Sequence, residues 1–96
     1  MPTATKVRAS HLLVQSETEA KKLREEIEAG ADFAEVARRV SSCPSGKNGG
    51  DLGFFGPGQM VREFDQAAFS LPVGQLSEPI KTQFGWHLLI VTDQQA

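Results

Sequence analysis

The chain has a single cysteine, no surplus of either charge and no apolar run of the roughly eighteen residues that a membrane helix needs. A lone cysteine cannot close an internal disulfide, so the fold must be held by packing and is compatible with a reducing compartment. The N-terminal stretch MPTATKVRAS carries no apolar segment behind its charges, as a secretory leader would. Ten basic and twelve acidic side chains leave a net charge of -2, too weak a field to gather nucleic acid or anionic lipid. These absences point to the cytoplasm, with no membrane span and no nucleic-acid partner. Repeats, linkers and low-complexity tracts are missing as well. At 40% hydrophobic content, 96 residues suffice for one core and not for two, so a single domain over residues 1–96 is expected, with 1–5 flexible.

A phosphate loop is absent too. The glycine-rich segment CPSGKNGGDLGFF, from Cys43 to Phe55, lacks the Gly-Lys-Ser/Thr ending that would aim a lysine and a hydroxyl at a nucleotide and its magnesium. Around it the periodicities are plain. From Lys6 to Val14 the chain alternates as a strand, with Val7, Ala9, His11 and Leu13 on one face. Ser16 precedes Glu19 at capping-box spacing and opens a helix with Ala20, Leu23 and Ile27 on its apolar stripe, ended by Gly30. Asp32 opens a second helix, in which Phe33, Val36, Ala37 and Val40 share a face. After the open segment from Ser41 to Gly58, with a short strand at Leu52 to Phe55, a third helix places Phe64, Ala67, Ala68 and Leu71 on one side. Leu76 to Ile80, interrupted by Pro79, predicts a short edge strand, and Phe84 to Thr92 a closing strand with His87, Leu89 and Val91 on one face. This order predicts an α+β fold with a small antiparallel sheet.

The two histidines lie at apolar strand positions at opposite ends of the chain. If the first and last strands are antiparallel neighbours, the rings meet on one face. With Cys43 they form a set that admits three chemistries. A zinc site needs close ligand pairs, whereas His11, Cys43 and His87 are widely separated and no further thiol or imidazole exists; no metal and no other cofactor is expected. A cysteine hydrolase would pair Cys43 with a histidine, although the chain is short for a cleft and an orienting residue. A non-covalent isomerase pocket is the third. Each histidine by itself also reads as a satisfied core residue, and Met60 and Phe64 as core packing at helical spacing. Lys21, Lys22, Arg24, Arg38 and Arg39 are interleaved with acids and read as solvated helix faces.

Four blocks decide among these: ASHLLV at 9–14, ADFAEVARRVS at 31–41, SGKNGGDLGFFGPGQMVREFDQAAF at 45–69 and TQFGWHLLIV at 82–91. In this order and over about Val7 to Val91, they closely resemble the parvulin family of peptidyl-prolyl cis/trans isomerases. The resemblance implies an FKBP-like superfold, a four-stranded antiparallel sheet surrounded by about three to four helices, with the active site on the face of the paired histidines. By the same resemblance His11 and His87 are the central histidine pair, Cys43 stands beside the substrate carbonyl, and Thr82 hydrogen-bonds within the histidine network. Leu52, Met60 and Phe64 wall the proline pocket, and Gln59 positions backbone at its rim. Phe84 stands where some relatives have serine, which makes the site more apolar.

Relatives that select phosphoserine or phosphothreonine before proline carry basic residues after the first strand. Here Gln15, Ser16 and Glu17 offer no anion clamp. The implied enzyme is a monomer that isomerises Xaa-Pro bonds in unfolded or flexible polypeptides without preference for phosphate. A peptide-holding chaperone with little isomerase activity is the alternative.

Overall fold

The alternation of KVRASHLLV becomes strand β1 (Lys6–Val14), whose odd and even residues face two different layers. The computed structural model describes residues 5–95, Ser45 by its backbone alone. The expectation of a flexible N-terminus lies outside the described residues except at Thr5, whose amide donates to the Gln95 carbonyl at 2.8 Å. Helix α1 (Glu17–Glu28) starts as its capping box requires, with Ser16 Oγ accepting the Glu19 N–H at 3.2 Å. It ends before Gly30, whose φ of 120° is a conformation that side chains resist. Helix α2 (Phe33–Val40) is capped in the same way, by Asp32 accepting from Glu35 N–H.

A 3-10 turn over Pro44–Asn48 leads into β2 (Asp51–Phe55). Helix α3 (Arg62–Ser70) follows, then β3 (Ile80–Thr82) and β4 (Gly85–Gln95). The sheet is antiparallel throughout, in the order β2-β1-β4-β3, so the first and last strands of the fold are central neighbours. Helices α1 and α2 cover one face, where Ala20, Leu23, Phe33, Val36 and Ala37 pack on Leu12, Val14 and Leu88. On the other face α3 sets Phe64 and Ala68 against Val7, Ala9, Leu89 and Val91.

The strand expected at Leu76–Ile80 lies later in the chain. Leu76 makes only an isolated bridge to Ile90, and the continuous pairing is Ile80–Thr82 against β4. Pro79 has no N–H to give to a ladder. Ser77 replaces regular pairing with its side chain: its N–H donates to Leu89 O at 2.7 Å, and its Oγ accepts the Leu89 N–H at 3.0 Å. The closing strand also runs three residues beyond Thr92, because Lys6 and Val7 pair with Gln95 and Gln94. The register slips between Arg8 and Ala9, leaving Thr92 as an extra residue whose hydroxyl donates to the Arg8 carbonyl at 3.1 Å.

Candidate active site

On the central strands His11 pairs with Leu89 and Leu13 with His87, so the imidazoles are diagonal neighbours on the α3 face. Their Nδ1 atoms are 3.1 Å apart. The rings are nearly parallel, at 15°, with centroids 5.3 Å apart. A centroid separation that much larger than the nitrogen distance sets them edge to edge, joined by one N–H···N hydrogen bond. Behind them Thr82 Oγ lies 2.7 Å from His87 Nε2 and accepts the Phe84 N–H at 3.2 Å. Two proton orders satisfy this chain. Either Thr82 O–H donates to His87 and His87 to His11, or His11 donates to His87 and His87 to Thr82.

Both rings are buried, at 6% and 5% exposure. Burial first, and then the neighbouring His87 ring, push the His11 pKa down to about 4. Burial lowers that of His87 as well. Near neutral pH the pair is therefore uncharged. Phe64 stands nearly perpendicular to both, at 89° and 5.4 Å from His11 and at 78° and 5.8 Å from His87, and so locks the pair from the helix side.

Over this floor lies a cavity of about 420 Å³ whose lining contains no lysine, arginine or carboxylate. It gathers His11, His87, Cys43, Leu52, Met60, Phe64 and Phe84 from strands β1, β2 and β4, helix α3 and the connections between elements. Phe84 is 58% exposed, at the mouth. Thr82 does not reach the cavity and stands behind His87. Gln59 does not line it either: its Oε1 accepts the Gly56 N–H at 2.8 Å and fixes the turn that leads to Met60. Leu13, Ser42, Pro44 and Val61 complete the lining and were not singled out from sequence. Leu13 was within reach of sequence reasoning, since it lies two residues from His11 on the same strand face.

Cys43 reaches the cavity because the loop before β2 closes against β1. Gly50 O accepts the His11 N–H at 2.9 Å. A Cβ at Gly50, built at φ 84°, would sit 2.1 Å from the His11 carbonyl oxygen. Only glycine allows the loop this close to the strand that holds the histidine.

Residues 4–93 match the rotamase family described as the PPIC-type PPIase domain. The chain belongs to this family of peptidyl-prolyl isomerases. A foldase protein PrsA from Geobacillus sp. (strain WCH70) is 50% identical over 91 residues, covering 94% of this chain and 33% of the relative. The crystal structure of PrsA from Bacillus anthracis superposes with a TM-score of 0.94 at 38% identity, over 98% of this chain and 44% of that one. The parvulin NmPin of Nitrosopumilus maritimus gives 0.85 at 40% identity, over 96% and 99%. The chain thus has the α+β fold of PPIC-type and parvulin structures and is a PPIC-type isomerase domain.

The chain spans about a third of the length of the curated PrsA relatives it matches. These relatives overturn the expected cytoplasmic location, because PrsA-type foldases are a membrane-anchored, extracytoplasmic class. The expectation failed because a domain held by packing, with one thiol, is equally at home in an oxidising or a reducing compartment. Among the described residues no helix is long and apolar enough to cross a membrane.

Proposed function

We propose that the cavity receives the proline ring of a flexible polypeptide, and that its walls accelerate rotation about the Xaa-Pro bond without forming a covalent bond. One observation carries this reading: an uncharged histidine pair floors a cavity with no ionic side chain in its lining. Rotation about a peptide bond faces about 18–20 kcal/mol because the nitrogen lone pair is delocalised into the carbonyl. The isomers of a prolyl bond differ by only about 0.5–1 kcal/mol, so the obstacle is kinetic. Twisting removes the charge-separated resonance form. The twisted amide is less dipolar than the planar one and loses less on leaving water for a dry, apolar wall.

Leu52, Met60 and Phe64 then hold the ring and exclude water. Three buried methylenes, at about 0.8 kcal/mol each, give weak and broad binding. Acceleration must come from contacts that improve as the bond turns; about 5.5 kcal/mol of such improvement is a 10⁴-fold rate. Cys43, at the cavity wall, serves as an uncharged polar neighbour of the carbonyl, while the histidines and Thr82 keep the floor in shape. Rotation about the prolyl bond breaks no covalent bond, so it needs no nucleophile.

The absence of cationic side chains from the lining supports substrates without a phosphate before proline. The name foldase borne by the PrsA relatives supports unfolded chains as clients.

Two-state exchange of an Ala-Pro peptide, followed by NMR with and without protein, tests the reading. Exchange should quicken at catalytic protein concentrations, and a phosphoserine-proline peptide should gain no advantage. Unchanged exchange alongside measurable binding would assign the domain to peptide holding instead.

A further inference from the structure

Beyond Ser10, β2 no longer pairs with β1, and the outer edge of the strand is closed by a loop. The Leu13 N–H, at that edge, donates to Ser41 Oγ at 3.1 Å, and the Leu13 carbonyl accepts the Ser42 N–H at 2.9 Å. The hydroxyl therefore takes the place that a carbonyl of a neighbouring strand would fill. The same oxygen accepts the Cys43 N–H at 3.3 Å. The Ser41 N–H in turn donates to Ala37 O at 2.9 Å, closing helix α2. One half-buried residue thus joins, through its backbone and its hydroxyl, a helix end, the strand bearing His11 and the backbone of the cysteine wall.

We propose that Ser41 is a positioning residue of the isomerase site, its hydroxyl fixing Cys43 at the cavity wall relative to the histidine-bearing strand. The proposal rests on the reading of Cys43 as the polar neighbour of the substrate carbonyl. Ser41 does not line the cavity, so it acts by holding Cys43 against β1. Without the hydroxyl, two backbone N–H groups lose a shared acceptor and the loop from Ser42 to Pro44 keeps the Ser42 N–H to Leu13 carbonyl bond as its link to β1.

The test uses Ser41→Ala, Ser41→Thr, Cys43→Ala and the double variant Ser41→Ala/Cys43→Ala. It reads kcat and KM on a prolyl peptide and, separately, the rate at which iodoacetamide alkylates Cys43 in the folded protein. Ser41→Ala is expected to lower kcat about threefold, no more than Cys43→Ala, with KM within about twofold, and to speed alkylation about threefold or more. Ser41→Thr, which keeps the hydroxyl, restores most of both. In the Cys43→Ala background, removing the hydroxyl is expected to change kcat less than about twofold. An equal fall in both backgrounds, or an unchanged alkylation rate, overturns the proposal, because the hydroxyl would then act on the fold as a whole.

Full activity in Cys43→Ala would sink the reading of Cys43 itself, and the alkylation rates alone would then judge Ser41. If Ser41→Ala does not fold, Gly46→Ala strains the same junction with the hydroxyl in place, since its Cβ would lie 3.0 Å from Ser41 Cβ and 3.1 Å from Ala37 O. Faster alkylation in that variant supports the proposal and an unchanged rate overturns it.

Discussion

The two faces of the sheet are built from the same strands and end in opposite states. Facing α1 and α2, Leu12, Val14 and Leu88 are sealed under two helices at no more than 2% exposure. On the other face the single nine-residue helix α3 covers Val7, Ala9 and Val91 and reaches the imidazoles through Phe64. The remaining part of that face holds the buried imidazoles and stays open as the cavity. The difference teaches that stability and chemistry are divided by side of the sheet, so each can be perturbed while the other is monitored.

The largest expected effect falls on the closed face. Leu88→Ala empties a fully buried site and should cost about 3–5 kcal/mol in urea unfolding, with kcat of the folded fraction unchanged. Comparable loss of kcat would show that the two faces are not separate. Next comes acid. The unfolded chain takes up protons below about pH 6.5 that the folded imidazoles refuse. Stability is therefore whole above pH 6.5, declines as pH falls, and for His11 stops declining near its pKa of about 4. That loss approaches about 3 kcal/mol, with His87 contributing in the same direction, and denaturation across a pH series measures it. A flat profile from pH 7 to 4 would mean that the pair is not held neutral.

Within the open face, Met60→Ala removes a wall of the proposed proline pocket. It should lower kcat/KM about tenfold, near 1.4 kcal/mol, while leaving the unfolding midpoint nearly in place. Cys43→Ala is the mildest, at about threefold in the same exchange assay. The reverse order of these two losses would argue for thiol chemistry in place of burial.

The elements that depend on neighbours along the chain were legible in the sequence. The alternation of β1, the caps at Ser16 and Asp32 and the apolar face of α2 are local patterns, and the structure has each. The meeting of His11 and His87 followed once β1 and β4 were taken as neighbours. What escaped depends on partners distant in sequence. Ser41 and Ser77 each substitute a hydroxyl for a strand carbonyl, toward Leu13 and Leu89 respectively, and nothing within a few residues of either marks that role. Gln59, read by resemblance as positioning backbone at the rim, has its amide oxygen on the Gly56 N–H and does not itself line the cavity. The 3-10 turn at Pro44–Asn48 likewise has no periodic signature.

The approach of the loop before β2 to the backbone of His11 has a practical side. The paired rings belong to the two innermost strands, whereas the sulfur wall hangs from a short connection between Ser41 and Gly50. That connection is an interchangeable part: a grafted segment of different length or chemistry should dock on the same platform and retune which peptides are turned over. Such a graft must keep a hydroxyl at its first residue and a bare α-carbon at its last.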